Sequence, residues 1–280
     1  MKLADIESWL DDATSRIVND DGPVREAILR LKREAVASGD QTLAKHLWCL
    51  QTTLEVQSNY VSAVAKMKTG AFYEGWCQLE QVELGIGRLQ RHFPLDRHHL
   101  DFIRGTTARF QSLFPYRVFM SPEIIKSKKE CSICLQPVTI RRSCGHEVGE
   151  IYDGEMCHRI VSEAKFVGIA MVRTPVQKYS VPFLKRPDGE SYDHYNYSVA
   201  RYLVDRLQSP YDRWAVHWTT RRHPHVRFED IKPSDPCPCE RTQNTYADCC
   251  LPTEGVLRPH CEFMFENPPP PETLIIEYSD

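Results

Sequence analysis

The spacing of apolar positions changes character near residue 120. Before that point apolar residues recur at intervals of three and four, the period of one helix face. Leu3, Ile6, Leu10 and Ile17 make a first stripe, ended by NDDGP at 19–23. Pro23 suits the first turn of a second helix, which carries Val24, Ile28, Leu31 and Ala35 and stops at Gly39. Asp40 is placed to cap a third helix, with Leu43, Leu47, Leu50 and Leu54. Gly70 separates it from a fourth, with Phe72, Trp76, Leu79, Val82, Ile86 and Leu89. After Pro94 a fifth carries Phe102, Ile103, Phe110 and Leu113. Each stripe is too narrow for a helix buried all round, so the pattern predicts antiparallel helices sharing one core. Trp9, Trp48 and Trp76 read as core residues and Cys49 and Cys77 as small buried apolar groups, while His98 and His99 read as surface or cap positions.

Beyond residue 120 the periods shorten. SPEIIKSKKE is a polar, basic approach to a cysteine cluster, and MCHRIVSEAKF predicts a helix, with Asp153 as its cap. FVGIAMV, KYSVPFLK and LRPHCEFMF read as strands, and PDG at 187–189 as a turn. Val199, Leu203 and Leu207 predict a helix over 195–208. NPPPPE is a stiff spacer before a strand-like TLIIEY.

Composition adds the setting. The chain has 280 residues, 41% hydrophobic and 26% charged, as expected of a folded protein. A net charge of −3 gives no global argument for nucleic acid or membrane. MKLADIESWLDD lacks the apolar core of a signal peptide, and the longest apolar run, FVGIAMV, is too short to span a bilayer. These features predict a cytoplasmic protein without a membrane span, where structural disulfides are disfavoured. Eleven cysteines then call for another explanation. They fall into two clusters, which points to two local metal sites.

In the first cluster, Cys131 and Cys134 have the CxxC spacing that turns two thiolates toward one ion. Cys144, His146, Cys157 and His158 compete to complete a tetrahedron. A turn at Gly145 and a helix beginning near Cys157 favour Cys131, Cys134, Cys144 and Cys157, in a treble-clef-like arrangement. His146 is the main rival, or a supporting partner. The opening CSICL with CGH also resembles the start of a RING finger. The later cysteine pairs of a RING are missing, so ubiquitin ligation is not implied.

In the second cluster, Cys237-Pro-Cys239 and Cys249-Cys250 are two close pairs joined by a short loop, suited to one ion. Pro236, Cys237, Pro238, Cys239, Tyr246, Cys249 and Cys250 resemble the SEC-C motif, the zinc module of the bacterial protein-translocation ATPase. The resemblance implies Zn2+ held by Cys237, Cys239, Cys249 and Cys250, and a protein partner. The basic loop of that motif is replaced here by ERTQN, which weakens the inference to the same partner surface. Together with CGHEVGEIYDGEMC and PVQKYSV, the motif resembles bacterial proteins described only as SEC-C metal-binding proteins. His260 and Cys261, just beyond, read as strand residues rather than ligands.

No phosphate loop, nucleophile elbow or H-E-x-x-H motif occurs in the chain. Glu147, Glu150, Asp153 and Glu155 lie among the first-site residues, and a metal-dependent hydrolase would use them. Four sulfur or nitrogen ligands close an ion, however, and closed sites are structural. Nucleic acid is the stronger competitor. Lys126, Lys128, Lys129, Arg141 and Arg142 surround the first cluster, and Arg213, Arg221, Arg222 and Arg227 precede the second, interleaved with Trp214, Trp218, His223 and His225. The sequence therefore predicts a mostly α chain with a small α+β zinc-binding portion. A helical domain occupies 1–118, a treble-clef-like zinc domain 119–230, and a SEC-C-like module and tail 231–280. The expected role is a non-catalytic, two-zinc adaptor that binds another protein, with nucleic-acid binding second and hydrolysis third.

Overall fold

The computed structural model describes residues 1–15 and 21–267. Ile17 and part of the NDDGP break lie outside the described residues, as do the proline run from 268 and TLIIEY. The architecture is mixed α and β, with helices and small two-stranded antiparallel sheets. The chain forms two compact units, Met1–Arg206 and Leu207–Asp280. No described helix is long and apolar enough to cross a membrane.

The first unit is built on α1 (Leu3–Asp11), α2 (Gly22–Ala37), α3 (Gln41–Lys68), α4 (Phe72–Leu89), α5 (Leu100–Ser112) and the short α6 (Ser198–Val204). Pro23 sits in the first turn of α2. The Asp40 carboxylate accepts from the Leu43 amide at 2.9 Å and caps α3. The narrow stripe expected of α3 widens in the fold. Trp48, Cys49, Thr52, Thr53, Val56, Gln57 and Tyr60 are buried as well, because α2, α4, α5 and α6 all pack on it. Two glycines of α4 let its backbone approach closely. A Cβ at Gly85 would lie 2.6 Å from Val56 Cγ2, and one at Gly75 would lie 2.7 Å from Met67 Cγ. GIG at 85–87 is thus a packing feature.

His98 is buried, contrary to the surface position expected of it. It and His99 both take left-handed φ, 52° and 62°, just before α5. The His98 ring stacks on Phe93, and its Nδ1 lies 2.7 Å from Asp11 Oδ1. Nε2 is buried without a hydrogen-bond partner. A neutral ring that donates through Nδ1 fits this site, whereas a second proton would be stranded. Burial accordingly lowers the pKa, against the pull of Asp11. The unfolded chain takes up the proton first, at about pH 6.5, so His98 costs stability as pH falls below that value. Melting temperatures at about pH 7.5 and about pH 5.5 should therefore differ more for the wild type than for His98→Gln. Equal differences would refute this role.

The same unit holds a long ribbon, β1 (Phe119–Cys131) paired antiparallel with β4 (Arg159–Val172). MCHRIVSEAKF was expected to be helical; Arg159 onward is strand instead. Every residue from Arg159 to Val161 and from Glu163 to Phe166 has a partner across the ladder on β1, itself read as a polar approach. That long-range pairing overrides the helix preference of Glu163, Ala164 and Lys165. Asp153, expected as a helix cap, instead turns the hairpin of β2 (Ile151–Tyr152) and β3 (Glu155–Met156). Asp153 and Gly154 take φ of 49° and 69°, as a tight hairpin turn requires. Of the expected strand KYSVPFLK, Leu184–Lys185 is strand; this β5 pairs with β6 (Ser191–Tyr192) around the PDG turn. Lys178 and Tyr179 lie along α4, where Trp76 Nε1 donates to the Lys178 carbonyl at 2.7 Å.

Among the described residues the second unit contains one ribbon, β7 (Trp214–His223) paired antiparallel with β8 (Val256–Phe265). Between the strands the chain forms a short 3-10 turn, His225–Phe228, and a cysteine-bearing loop. LRPHCEFMF is strand, as its alternation predicts.

Candidate metal centres

The first cluster forms where the β1–β4 ribbon ends. Cys131 closes β1, and the chain turns at once through Cys134. Leu135 takes a left-handed φ of 57° and its amide donates to the Cys131 carbonyl at 2.9 Å. The Ile133 amide points at Cys131 Sγ from 3.4 Å. A second turn, with Gly145 at φ 85°, brings in Cys144 and His146. One ligand atom from each of Cys131, Cys134, Cys144 and His146 lies within 4.8 Å of the others. Cys157, outside that quartet, has its Sγ 3.8 Å from Cys131 Sγ, while His146 Nδ1 is 3.7 Å from the same sulfur. Zinc–sulfur bonds of about 2.3 Å give a tetrahedral edge of about 3.8 Å, so both spacings suit a shared ion. His158 faces the backbone of Met156 and is exposed.

Cys157 does not begin a helix. Its amide donates to the Glu150 carbonyl and its carbonyl accepts from the Gly149 amide, both at 2.8 Å, which holds it between β3 and β4. Arg159 Nη1 approaches Cys157 Sγ at 3.5 Å, and Nη2 donates to the His146 carbonyl at 3.0 Å. One guanidinium thereby ties the two competing donors. The His146 ring meets Tyr152 edge-on at 4.7 Å. Desolvation would raise the Cys131 thiol, but the amides of Cys134 and Ile133 and the thiols of Cys144 and Cys157 bring it down to about 6.

Three of the four acids near this cluster serve to dock it on the helices. Glu155 pairs with the buried Lys32 at 2.7 Å. Asp153 Oδ1 accepts from Gln41 Nε2 at 2.6 Å, and Glu150 meets Arg91 at 3.4 Å. His92 Nε2 also lies 2.6 Å from the Gly149 carbonyl. Sequence periodicity carries no sign of these contacts, because each partner is more than fifty residues away.

The second cluster is built by the loop between β7 and β8. Ligand atoms of Cys237, Cys239, Cys249 and Cys250 lie within 4.8 Å of one another. Cys239 and Cys249 sulfurs are 3.7 Å apart, and those of Cys249 and Cys250 3.9 Å, again close to a tetrahedral edge. As at Leu135, the residue after the first pair, Glu240, takes a left-handed φ, here 56°. Neither is glycine, so each turn carries backbone strain of about 1 kcal/mol or more, which ligation can hold in place. The Cys237 amide donates to the Asn244 carbonyl at 3.0 Å, closing the loop. The Arg241 amide favours thiolate at Cys239, whose pKa falls to about 7, while desolvation raises Cys237 to about 12.

Around these sulfurs Tyr246 and Val256 are buried, with Phe228 and Ile231 packed against them. His225 Nε2–H donates to the Thr253 carbonyl at 2.8 Å, which leaves Nδ1 to accept from the Tyr246 hydroxyl at 2.5 Å. Arg222 donates to Thr253 Oγ1 at 2.7 Å and the Gly255 carbonyl at 2.9 Å. Arg258 donates to the Pro238 carbonyl and pairs with Glu240 at 3.1 Å. Arg222 and His225, from the basic stretch before this cluster, and Arg258 after it therefore brace the loop. Gly255, at φ 150°, lets β8 start against β7: a Cβ there would lie 2.4 Å from the His223 carbonyl oxygen. Cys261 stands opposite Trp218 in the ladder and His260 opposite Thr219, and neither belongs to the cluster.

Both donor sets suit zinc: soft thiolates, at most one imidazole, and tetrahedral spacing. In comparisons with known proteins, no family model, no curated protein and no solved structure matches this chain.

Proposed function

We propose that this chain is a zinc-binding protein with two structural metal sites that acts as an adaptor between proteins, in a reducing compartment such as the cytoplasm. The β1–β4 ribbon carries the adaptor reading. Ile125, Phe166, Ile169 and Met171 are 58%, 59%, 61% and 71% exposed along it. As a two-stranded sheet it also leaves the outer edge of β4 without a backbone partner among the described residues. Exposed apolar side chains beside an open edge suit a partner that adds a strand. The first zinc would anchor one end of this ribbon, and the SEC-C-like loop would set the second unit with Cys237, Cys239, Cys249 and Cys250. Hydrolysis is disfavoured, since Glu150, Asp153 and Glu155 are engaged by Arg91, Gln41 and Lys32.

Elemental analysis of the purified protein should give about two zinc ions per chain, one for each four-donor set. A protein partner recovered from native cytosol should survive nuclease and be lost on Phe166→Asp with Ile169→Asp, zinc content unchanged. Near-zero zinc with eleven titratable thiols would end the metal reading. Partner capture indifferent to the ribbon variant would end the adaptor reading.

A further inference from the structure

The β7–β8 ribbon sorts the basic residues of the second unit onto its two faces. Cross-strand partners share a face and alternate along each strand. Trp218 stands opposite Cys261 and Arg222 opposite Leu257 on one face. On the other face Arg221 stands directly opposite Arg258, and Thr219 opposite His260, with His223 following Arg221 on the same side. Arg227 reaches this side from the 3-10 turn, its Nη1 3.5 Å from His223 Nδ1.

Like charges directly opposite in a ladder destabilise it. The acids present balance only part of this group. Glu240 pairs with Arg258 at 3.1 Å, and Glu262 lies 3.8 Å from His260. Arg221 is exposed, and its side chain makes no hydrogen bond or ion pair among the described residues. The excess of positive charge is felt by His223. After burial, Arg227, His260, Arg221 and Arg258 all hold its pKa below the ordinary value. Two arginines aligned across a ladder, one of them with an unpaired side chain, leave a positive charge that a negatively charged ligand would offset.

We propose that this face, with Arg221 at its centre and Arg227, His223 and His260 beside it, binds phosphate groups, Arg258 adding positive charge from its place against Pro238 and Glu240. Guanidinium groups match phosphate oxygens in charge and in paired hydrogen-bond geometry. The phosphate source is a nucleic-acid backbone or a small phosphorylated molecule. Trp218 lies on the opposite face, so base stacking there does not accompany this contact. Arg222 is committed to Thr253 and Gly255, so Arg221 is the free cation of the Arg221–Arg222 pair. The site is independent of the adaptor reading.

The test uses the full zinc-loaded chain and two probes, pyrophosphate by calorimetry and a fluorescent single-stranded oligonucleotide by anisotropy. At low salt the wild type should bind at least one probe, and Arg221→Glu should weaken that binding about tenfold or more, as loss of a charge-assisted contact predicts. Arg213→Glu, a residue paired with Glu266 at 3.5 Å, is the charge-matched control and should bind nearly as the wild type. Arg221→Gln should flatten the oligonucleotide salt dependence by about one contact, a slope change of about 0.7 on single strands. Pyrophosphate binding without oligonucleotide binding points to a small ligand, and salt-steep oligonucleotide binding to nucleic acid. Absence of binding to both probes overturns the site. Equal loss in Arg213→Glu reduces it to net charge and also overturns it. Loss of zinc in Arg221→Glu would show that the cations balance the zinc thiolates instead, and the proposal would fail.

Discussion

Cys249→Ser should remove one zinc and unfold the β7–β8 unit while the helices of the first unit stay folded. The buried cluster at the cysteine loop consists of Cys237, Cys239, Tyr246, Cys250 and Val256, so most of its members are candidate metal donors. A two-stranded ribbon is marginal by itself in water. Structural zinc contributes roughly 10–16 kcal/mol of apparent binding free energy in small domains, far more than this apolar surface can supply. The left-handed turn at Glu240 adds strain that ligation helps to hold in place. The first unit has its own core in Leu47, Leu50, Leu54, Leu79 and Phe110. Hydrogen exchange read by mass spectrometry separates the two. Peptides from β7 and β8 should lose protection in the variant, and equally in wild type after chelation, while α3 peptides keep theirs. Continued protection of β7–β8 without metal would contradict the argument.

The second large effect concerns the fourth donor at the first site. His146→Ala should lose the first zinc, whereas Cys157→Ala should keep it with affinity reduced about 10–100-fold. The quartet of mutually close donor atoms is Cys131, Cys134, Cys144 and His146. Cys157 touches that quartet at Cys131 and is held by Arg159, which also grips the His146 carbonyl. Loss of Cys157 therefore releases Arg159 and loosens His146 without opening the ion. Cobalt substitution gives a readout that unfolding does not mimic. The ligand-to-metal bands of a three-sulfur, one-nitrogen site should persist in Cys157→Ala. Zinc retention in His146→Ala together with zinc loss in Cys157→Ala would make Cys157 the fourth ligand.

Sequence and fold divide the labour in a way that particular residues make plain. Helices α2 to α5 are legible because each carries its own periodic apolar face, a local property. The Asp40 cap and Pro23 in the first turn of α2 are legible for the same reason. The β1–β4 ribbon is harder. Its strands are nearly thirty residues apart, and Glu163, Ala164 and Lys165 suit a helix equally well until β1 pairs with them. Asp153-Gly154 did contain a hairpin signal, which the cap reading of Asp153 passed over.

Cysteine spacing by itself determined that there are two compact donor groups, since two close pairs on a short loop have few other ways to satisfy four thiols. Only the tertiary structure shows which candidate donors lie close together at the first site. Cys131 has His146 Nδ1 at 3.7 Å and Cys157 Sγ at 3.8 Å, and spacing along the chain does not distinguish them. Only the tertiary structure, too, turned Glu150, Asp153 and Glu155 onto the helices and Arg222 and His225 onto the second loop, leaving Arg221 unpaired. The reason is physical. Periodicity and short spacings report interactions within a few residues, whereas the partner of a charge or a fourth metal ligand is chosen by which distant segments pack together.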